Sequence, residues 1–223
     1  MLNQSLTELT SALDEATVEP VGGRTKRCVD IAIAVCMLVT LSPFLLLIAG
    51  LLWLLEGGPI IYRHPRIGYG GRVFNCLKFR TMCVNGDQVL EAYFQSNPAA
   101  AAEWAITRKL KTDPRVSLLG RMLRETSIDE LPQLFNVIRG DMSCVGPRPI
   151  TAEELCRYEA LVGVYLSTRP GLTGAWQVGG RNETSYAERV ALDVKYVQSW
   201  SLRNDLKIIA RTPHAVVSRR GSY

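Results

Sequence analysis

Histidine is scarce and cysteine is unorganised in this 223-residue chain. There are two histidines, and the six cysteines at positions 28, 36, 76, 83, 144 and 156 form no Cys-x-x-Cys pair. That pattern argues against a structural zinc site and against a secreted disulfide scaffold, and it fits reduced packing residues in a cytosol-facing protein. No Walker sequence is present. Gly68, Gly70 and Gly71 have the wrong spacing for a dinucleotide fingerprint, and the residues after them do not read as a helix. There is no Gly-x-Ser-x-Gly, and His64 and His214 lack the partner set of a serine or cysteine hydrolase. The chain has no internal repeat and no low-complexity linker. One stretch also lacks charge: from Ile31 to Leu55 every residue is apolar except Thr40, Ser42, Pro43 and Gly50. The chain as a whole has 26 Lys+Arg against 21 Asp+Glu, a net charge of +5. A basic protein with one long apolar segment points to an anionic membrane surface before nucleic acid.

The apolar segment meets the length of a membrane span, about 20 residues, but two features set it apart. Both flanks are basic, with Arg24, Lys26 and Arg27 before it and Arg63, Arg66, Arg72, Lys78 and Arg80 after it. The positive-inside rule cannot orient such a span, whereas a hairpin that returns to the cytoplasmic face satisfies both flanks. Ser42-Pro43 also sits at the middle, where proline removes an i→i−4 hydrogen bond and a nearby hydroxyl can satisfy a freed backbone group. The two arms, Ile31–Ser42 and Pro43–Leu55, are each about 18–20 Å long as helices, enough for one leaflet. On these grounds a kinked single span and a re-entrant helix-break-helix both remain open. A cleavable signal peptide fits poorly, because the stretch is too long and no small-x-small site follows it.

The chain divides into a mobile polar tail over 1–23, the membrane segment over 24–56, and a domain over 57–223 large enough for its own core. The β-prone runs 59–64 and 73–82, separated by a glycine-rich turn, predict a small β-hairpin. Helices are expected over 87–96 and 98–110, broken at Asn97-Pro98, then over 117–124, 128–139, 151–168 and 185–199. An extended stretch is expected at 141–150. The loose apolar face of 201–217 suits an interfacial helix as well as a core helix. The expected class is α+β, mostly helical.

The most informative stretch is Ser127-Ile-Asp129-Glu130-Leu-Pro132. Ser127 and Glu130 fit a capping box and Pro132 suits a first turn, so Asp129 and Glu130 are expected at a helix N-terminus. Acidic caps are common, and by itself the pair needs no further explanation. Adjacent carboxylates also hold Mg²⁺ and supply a nucleophile, and here Arg121 and Arg124 precede them while Arg139 and Arg148 follow. That composition suits phosphoryl transfer, where positioning and charge neutralisation dominate. In Gly146-Pro147-Arg148-Pro149, two prolines fix the backbone around one arginine, giving either a stiff connector or an immobilised phosphate clamp. Lys78 and Arg80 share one face by period two, either as a solvated strand face or as a phosphate surface.

Taken together, these motifs resemble the bacterial monotopic phosphoglycosyl transferases, which start glycan assembly on polyprenyl phosphate. The matching stretches run in order from residue 25 to the C-terminus. They are Lys26-Arg27-x-x-Asp30, Ser42-Pro43, Gly58-Pro59 with Tyr62, Arg66 and Gly68, and Lys78-Phe-Arg-Thr-Met82. Thr126 to Gln133, Asn136, Gly140 to Ser143, Val145 to Pro149, Arg169 to Gly174 and Trp176-Gln177 complete them. The chain looks most like the short exopolysaccharide-initiating members that transfer galactose 1-phosphate. One departure is Val178-Gly-Gly-Arg181, where the family often has Ser-Gly-Arg after Trp-Gln.

The resemblance implies a re-entrant membrane helix broken at Ser42 and Pro43, on the cytoplasmic face of the bacterial inner membrane. It implies a ping-pong enzyme in which Asp129 attacks a UDP-sugar, releases UMP and passes the phosphosugar to undecaprenyl phosphate, the first step of exopolysaccharide repeat-unit assembly. Glu130 would be the second member of the dyad, with Mg²⁺ held at Asp129 and Glu130. Arg124, Arg148, Lys78 and Arg80 would bind phosphate, and Lys26 and Arg27 would place the lipid phosphate or the hairpin at the membrane edge. The expected partners are UDP-sugar, undecaprenyl phosphate and the bilayer, with no nucleic acid. The sugar rests on whole-chain similarity, and the oligomeric state, a homodimer included, stays open. Two other readings compete: a membrane-anchored, non-catalytic recruiter of a polysaccharide assembly complex, and a Mg²⁺-dependent nucleotide-sugar diphosphate hydrolase. The intact Asp129-Glu130 pair argues against the recruiter.

Overall fold

In a computed structural model the described residues are 19–107, 110, 112–179 and 185–217. Most of the expected tail (1–18), the Arg181 turn and the ending 218–223 lie outside them. Among the described residues the longest element is α1, Gly23–Glu56, a helix of 34 residues that is long and apolar enough to cross a membrane. It continues through Pro43 without a non-helical residue, which corrects the expected break at Ser42-Pro43: one helix runs through the proline, which removes only a single hydrogen bond. Proline deletes the hydrogen bond to the carbonyl four residues back, which is that of Val39. The Ser42 hydroxyl donates to this same carbonyl at 2.9 Å.

Two stretches of α1, up to Leu38 and from Leu45 on, pack on the domain, with the middle of the helix uncovered. Ala34 joins the main core with Ile33, Met37 and Leu38 beside it, while Ile48 and Leu52 join a second cluster with Phe79 and Leu123. These positions recur at three to four residues, the spacing of a helix stripe. The opposite face is apolar and uncovered: Val39 is 69% and Leu46 72% exposed. Both ends are tied to the same domain. Near the start, Lys26 Nζ lies 2.6 Å from Asp205 Oδ2, and Arg27 donates to the carbonyls of Val137 and Ile138 at 2.5 and 2.7 Å. At the end, Arg80 donates to the carbonyls of Glu56 and Gly57 at 2.8 and 2.7 Å, and the Ser117 hydroxyl donates to Glu56 Oε1.

The expected hairpin forms from β1 (Ile61–Ile67) and β2 (Val73–Phe79), antiparallel with Tyr62 opposite Lys78 and His64 opposite Cys76. Two helices follow, α2 (Gly86–Ser96) and α3 (Pro98–Thr107), with Asn97-Pro98 between them. Next comes α4 (Leu118–Glu125), capped by Ser117 Oγ accepting from the Gly120 amide. The 128–139 region divides into a 3₁₀ turn, Ile128–Glu130, and α5 (Gln133–Arg139). Strand β3 (Ser143–Val145) pairs in parallel with β4 (Gly171–Thr173), a pairing the sequence reading missed. A Cβ on Gly171 would lie 2.1 Å from the Gly146 amide nitrogen, so only glycine permits this approach.

The expected helix over 151–168 is interrupted. It becomes α6 (Ala152–Leu155), a 3₁₀ segment kinked at Glu159 (φ 47°), and α7 (Val162–Leu166). The chain then forms α8 (Ala175–Gly179), α9 (Tyr186–Gln198) and α10 (Leu202–Val217). The main core joins α1, β2, α5, β3, α9 and α10 through Ala34, Cys76, Leu134, Val145, Tyr196 and Ile208. The whole is α+β and mostly helical, with its strands in two small sheets.

Candidate active site

Asp129 and Glu130 lie in the 3₁₀ turn between α4 and α5. Ser127 does not cap it: the residue adopts a left-handed backbone (φ 56°) and its side chain makes no cap hydrogen bond. The capping-box expectation is therefore corrected. A left-handed Ser127 lets the chain turn sharply out of α4, and α5 starts only after Pro132. The turn is held from beneath by Asn136, fully buried on α5. Its side chain accepts from the Leu77 amide at 3.0 Å and donates to the Asn75 carbonyl at 2.9 Å, which fixes β2 against α5.

This docking sets Lys78 Nζ 2.6 Å from Glu130 Oε1. Asp129 is 8% exposed. Burial, then the neighbouring Glu130 charge, pushes its carboxyl up to about 6, while Lys78 and Arg124 pull the other way. It is thus largely ionised at pH 7 but poorly solvated, a suitable state for an oxygen nucleophile. Arg124 Nε donates to Thr81 Oγ1 at 2.7 Å, which orients its guanidinium on the Asp129 side.

Arg148 comes to the same region from the loop after β3. The thiol of Cys76, pushed up to about 11 by burial, has Lys78, Glu130, Arg66 and Arg148 as its charged surroundings. Arg66 pairs with Glu154 at 3.1 Å. His64 sits one row along the hairpin from Lys78, and burial followed by Arg66 and Lys78 lowers its basicity. The structure therefore brings Asp129, Glu130, Lys78 and Arg124 together, while the guanidinium of Arg148 lies 5.4 Å from the Trp176 ring centroid.

The other expected site residues go elsewhere. Arg80 and Lys78 end on different partners, because Arg80 lies beyond the end of β2 and serves the C-terminus of α1. Lys26 is 4% exposed, and its ammonium is spent on Asp205 and on the Tyr196 hydroxyl at 3.2 Å. Arg27 is spent on the end of α5. Of the two roles expected for Lys26 and Arg27, these contacts match placing the helix. Ser42 and Pro43 lie on the exposed face of α1, away from the carboxylates.

Sequence reading missed a group beside Arg148: Trp176, Arg189, Tyr158 and Asp193. Burial pushes the Asp193 carboxyl up to about 7. Trp176 belongs to the Trp-Gln motif, whereas Tyr158, Arg189 and Asp193 carry no local signal in the sequence. Among the described residues no cluster of three His, Cys, Asp or Glu side chains could hold a metal alone. Mg²⁺ commonly binds one or two carboxylates and completes its shell with water and substrate phosphate, so the paired carboxylates fit a substrate-borne ion.

A buried carboxylate beside a lysine-paired glutamate, with Arg124 among its neighbouring charges, is a set whose chemistry suits an anionic substrate. The chain belongs to the bacterial sugar transferase family, whose profile matches residues 21–219. It is 54% identical over 210 residues to the exopolysaccharide production protein ExoY of Sinorhizobium fredii, covering 94% of this chain and 93% of the relative. It is 52% identical over 210 residues to the ExoY of Rhizobium meliloti, with the same coverage. It is 47% identical over 201 residues to the undecaprenyl-phosphate galactose phosphotransferase of Salmonella typhimurium, covering 89% of this chain and 41% of that protein.

Proposed function

We propose that this enzyme transfers a hexose 1-phosphate from a UDP-sugar to undecaprenyl phosphate, releasing UMP, as the first step of exopolysaccharide repeat-unit assembly. The observation that carries the reading is Asp129, a carboxylate only 8% exposed beside the Lys78–Glu130 ion pair, with Arg124 among its neighbouring charges. An Asp129 oxygen attacks the sugar-bearing phosphorus. The bond from that phosphorus to the bridging oxygen breaks, and UMP leaves with the oxygen. An oxygen of the lipid phosphate then attacks the same phosphorus, the aspartyl oxygen leaves, and the product is a polyprenyl diphosphate sugar. Dividing the reaction keeps two anionic substrates from having to share the site. Asp129 and Glu130 would hold Mg²⁺, which would neutralise diphosphate charge. Arg124 and Arg148 bind phosphate, and Lys78 holds Glu130 in place. Galactose is the proposed sugar, supported by the name of the Salmonella relative.

The membrane placement follows from α1. A segment crossing about 30 Å of hydrocarbon would hold its ends on opposite sides, yet both ends of α1 are tied to one domain. The ties support a re-entrant placement with the uncovered apolar face in one leaflet, and the proposed side for the domain is the cytoplasmic face of the inner membrane. Leu118 and Met122 on α4, and Phe135 on α5, add exposed apolar side chains to the domain.

The test uses purified enzyme, polyprenyl phosphate and a panel of UDP-sugars, read by UMP formation. The transferase releases about one equivalent of UMP from donor alone and turns over when lipid phosphate is added. UMP release at full rate without lipid phosphate would mark a diphosphate hydrolase instead.

A further inference from the structure

The junction of α9 and α10 forms an open cleft of about 420 Å³, far along the chain from the dyad. That volume lies in the range of small-ligand sites, about 300–1,000 Å³. Its charged lining is all of one sign: Lys195 in the last turn of α9, and Arg203 and Lys207 one turn apart on α10. Ser199, Ser201 and Asn204 add hydroxyl and amide groups to the same lining. The three cations are exposed, and among the described residues none of them enters an ion pair. The one acidic side chain of α10, Asp205, is buried and neutralised by Lys26 at 2.6 Å. Cations gathered around one space without an acid repel one another, and an anion entering the space relieves that repulsion.

The position of the cleft selects among anions. The same junction is fastened to the start of α1. Lys26 meets Asp205 there, and a Cβ on Gly22 would lie 2.8 Å from the Trp200 ring. The exposed apolar run of α1 begins at Ile31, five residues after Lys26, a rise of about 7.5 Å. With that run in one leaflet, the cleft lies near headgroup level, where the membrane surface is negative. We propose that the cleft binds the headgroup of an anionic glycerophospholipid. Lys195, Arg203 and Lys207 take the phosphodiester, and Ser199, Ser201 and Asn204 take the headgroup hydroxyls. A zwitterionic headgroup brings its own ammonium toward the same cations and is disfavoured. The inference rests on the membrane placement proposed for α1.

The test places the full-length protein in nanodiscs of equal parts phosphatidylglycerol and phosphatidylcholine, releases it, and counts retained lipids by native mass spectrometry. The wild type retains one phosphatidylglycerol per chain, favoured on the order of 100-fold over phosphatidylcholine. Arg203→Gln or Lys207→Gln alone lowers that preference about fivefold, and the two together about 25-fold. Either single variant serves should the double variant not fold. Arg211→Gln, one turn beyond Lys207 and outside the cleft lining, leaves the preference intact. A loss there equal to that of Lys207→Gln would overturn the cleft in favour of diffuse surface charge. Glycerol 1-phosphate in solution does not displace the lipid, because the bilayer presents headgroups at far higher effective concentration. Displacement would assign the cleft to a soluble phosphate ester and overturn the proposal. In a transfer assay the KM for polyprenyl phosphate stays within about twofold of wild type in the double variant. A selective rise would give the cleft to the acceptor instead. A wild type that does not enter the nanodisc sinks the membrane placement of α1, whereas one that enters and retains both lipids alike sinks the headgroup site alone.

Discussion

Asp129 keeps its charge in a place that resists charge. Its carboxyl is raised from 3.8 to about 6, mainly by burial. About 2 pKa units at roughly 1.4 kcal/mol each make the ionised form about 3 kcal/mol less stable in the fold than in the unfolded chain. Because the folded-state value is the higher one, the cost is absent below about pH 4, grows between 4 and 6, and is complete above 6. Asp129→Asn should therefore abolish transfer while raising the thermal midpoint at pH 8 in chelator, a gain that disappears by pH 4. A variant that loses activity with no pH-dependent gain would show that the carboxyl is not strained. Lys26 gives the opposite case. Its ammonium, Asp205, Tyr196 and the Trp200 indole N–H form a closed buried network. Removing one partner strands the others, so Lys26→Ala should cost about 3–5 kcal/mol of stability. Donor and acceptor KM should stay near wild type in the folded fraction, and a selective rise in lipid-acceptor KM would return Lys26 to a substrate role.

At the scale of elements, α1 is defined by how it is tied down as much as by its composition. The sequence left a kinked span and a re-entrant segment equally open, because periodicity says nothing about where the ends of a helix dock. The contacts of Lys26, Arg27, Glu56 and Gly57 tie both ends of α1 to one domain, which supports the proposed re-entrant placement. In a cysteine-free background, Ser5→Cys and Arg220→Cys should label from the same side of the membrane. They should still do so with Pro43→Ala added, since the ties lie at the ends; opposite labelling in that variant would assign the topology to the proline. The hairpin and the amphipathic helices were legible because a period of two or of 3.6 survives in local sequence. The elements that escaped were those set by remote partners. Ser127 looks like a cap but takes a left-handed turn, the 151–168 helix kinks at Glu159, and β3 and β4 are three residues each, joined only because Gly146 and Gly171 touch.

For the molecule as a whole, the ties at both ends of α1 bring the long apolar helix and the Asp129–Glu130 pair into one body. Lys78 meets Glu130 across the Asn136 clamp between β2 and α5, and Arg80 on the same chain segment holds the end of α1. The dyad and its arginines were readable as an unusual local run of charge. The group around Trp176 was not, because its members come from positions 148, 158, 176, 189 and 193, which only the fold assembles. The central claim is that Asp129 becomes covalently linked to the phosphosugar. Intact-protein mass spectrometry after incubation with UDP-galactose and no lipid acceptor tests it directly. The account predicts one added hexose phosphate, mapped to Asp129 by peptide analysis, lost on adding polyprenyl phosphate and absent in Asp129→Asn. Accumulation of lipid-linked sugar from a protein that never carries that mass would contradict it.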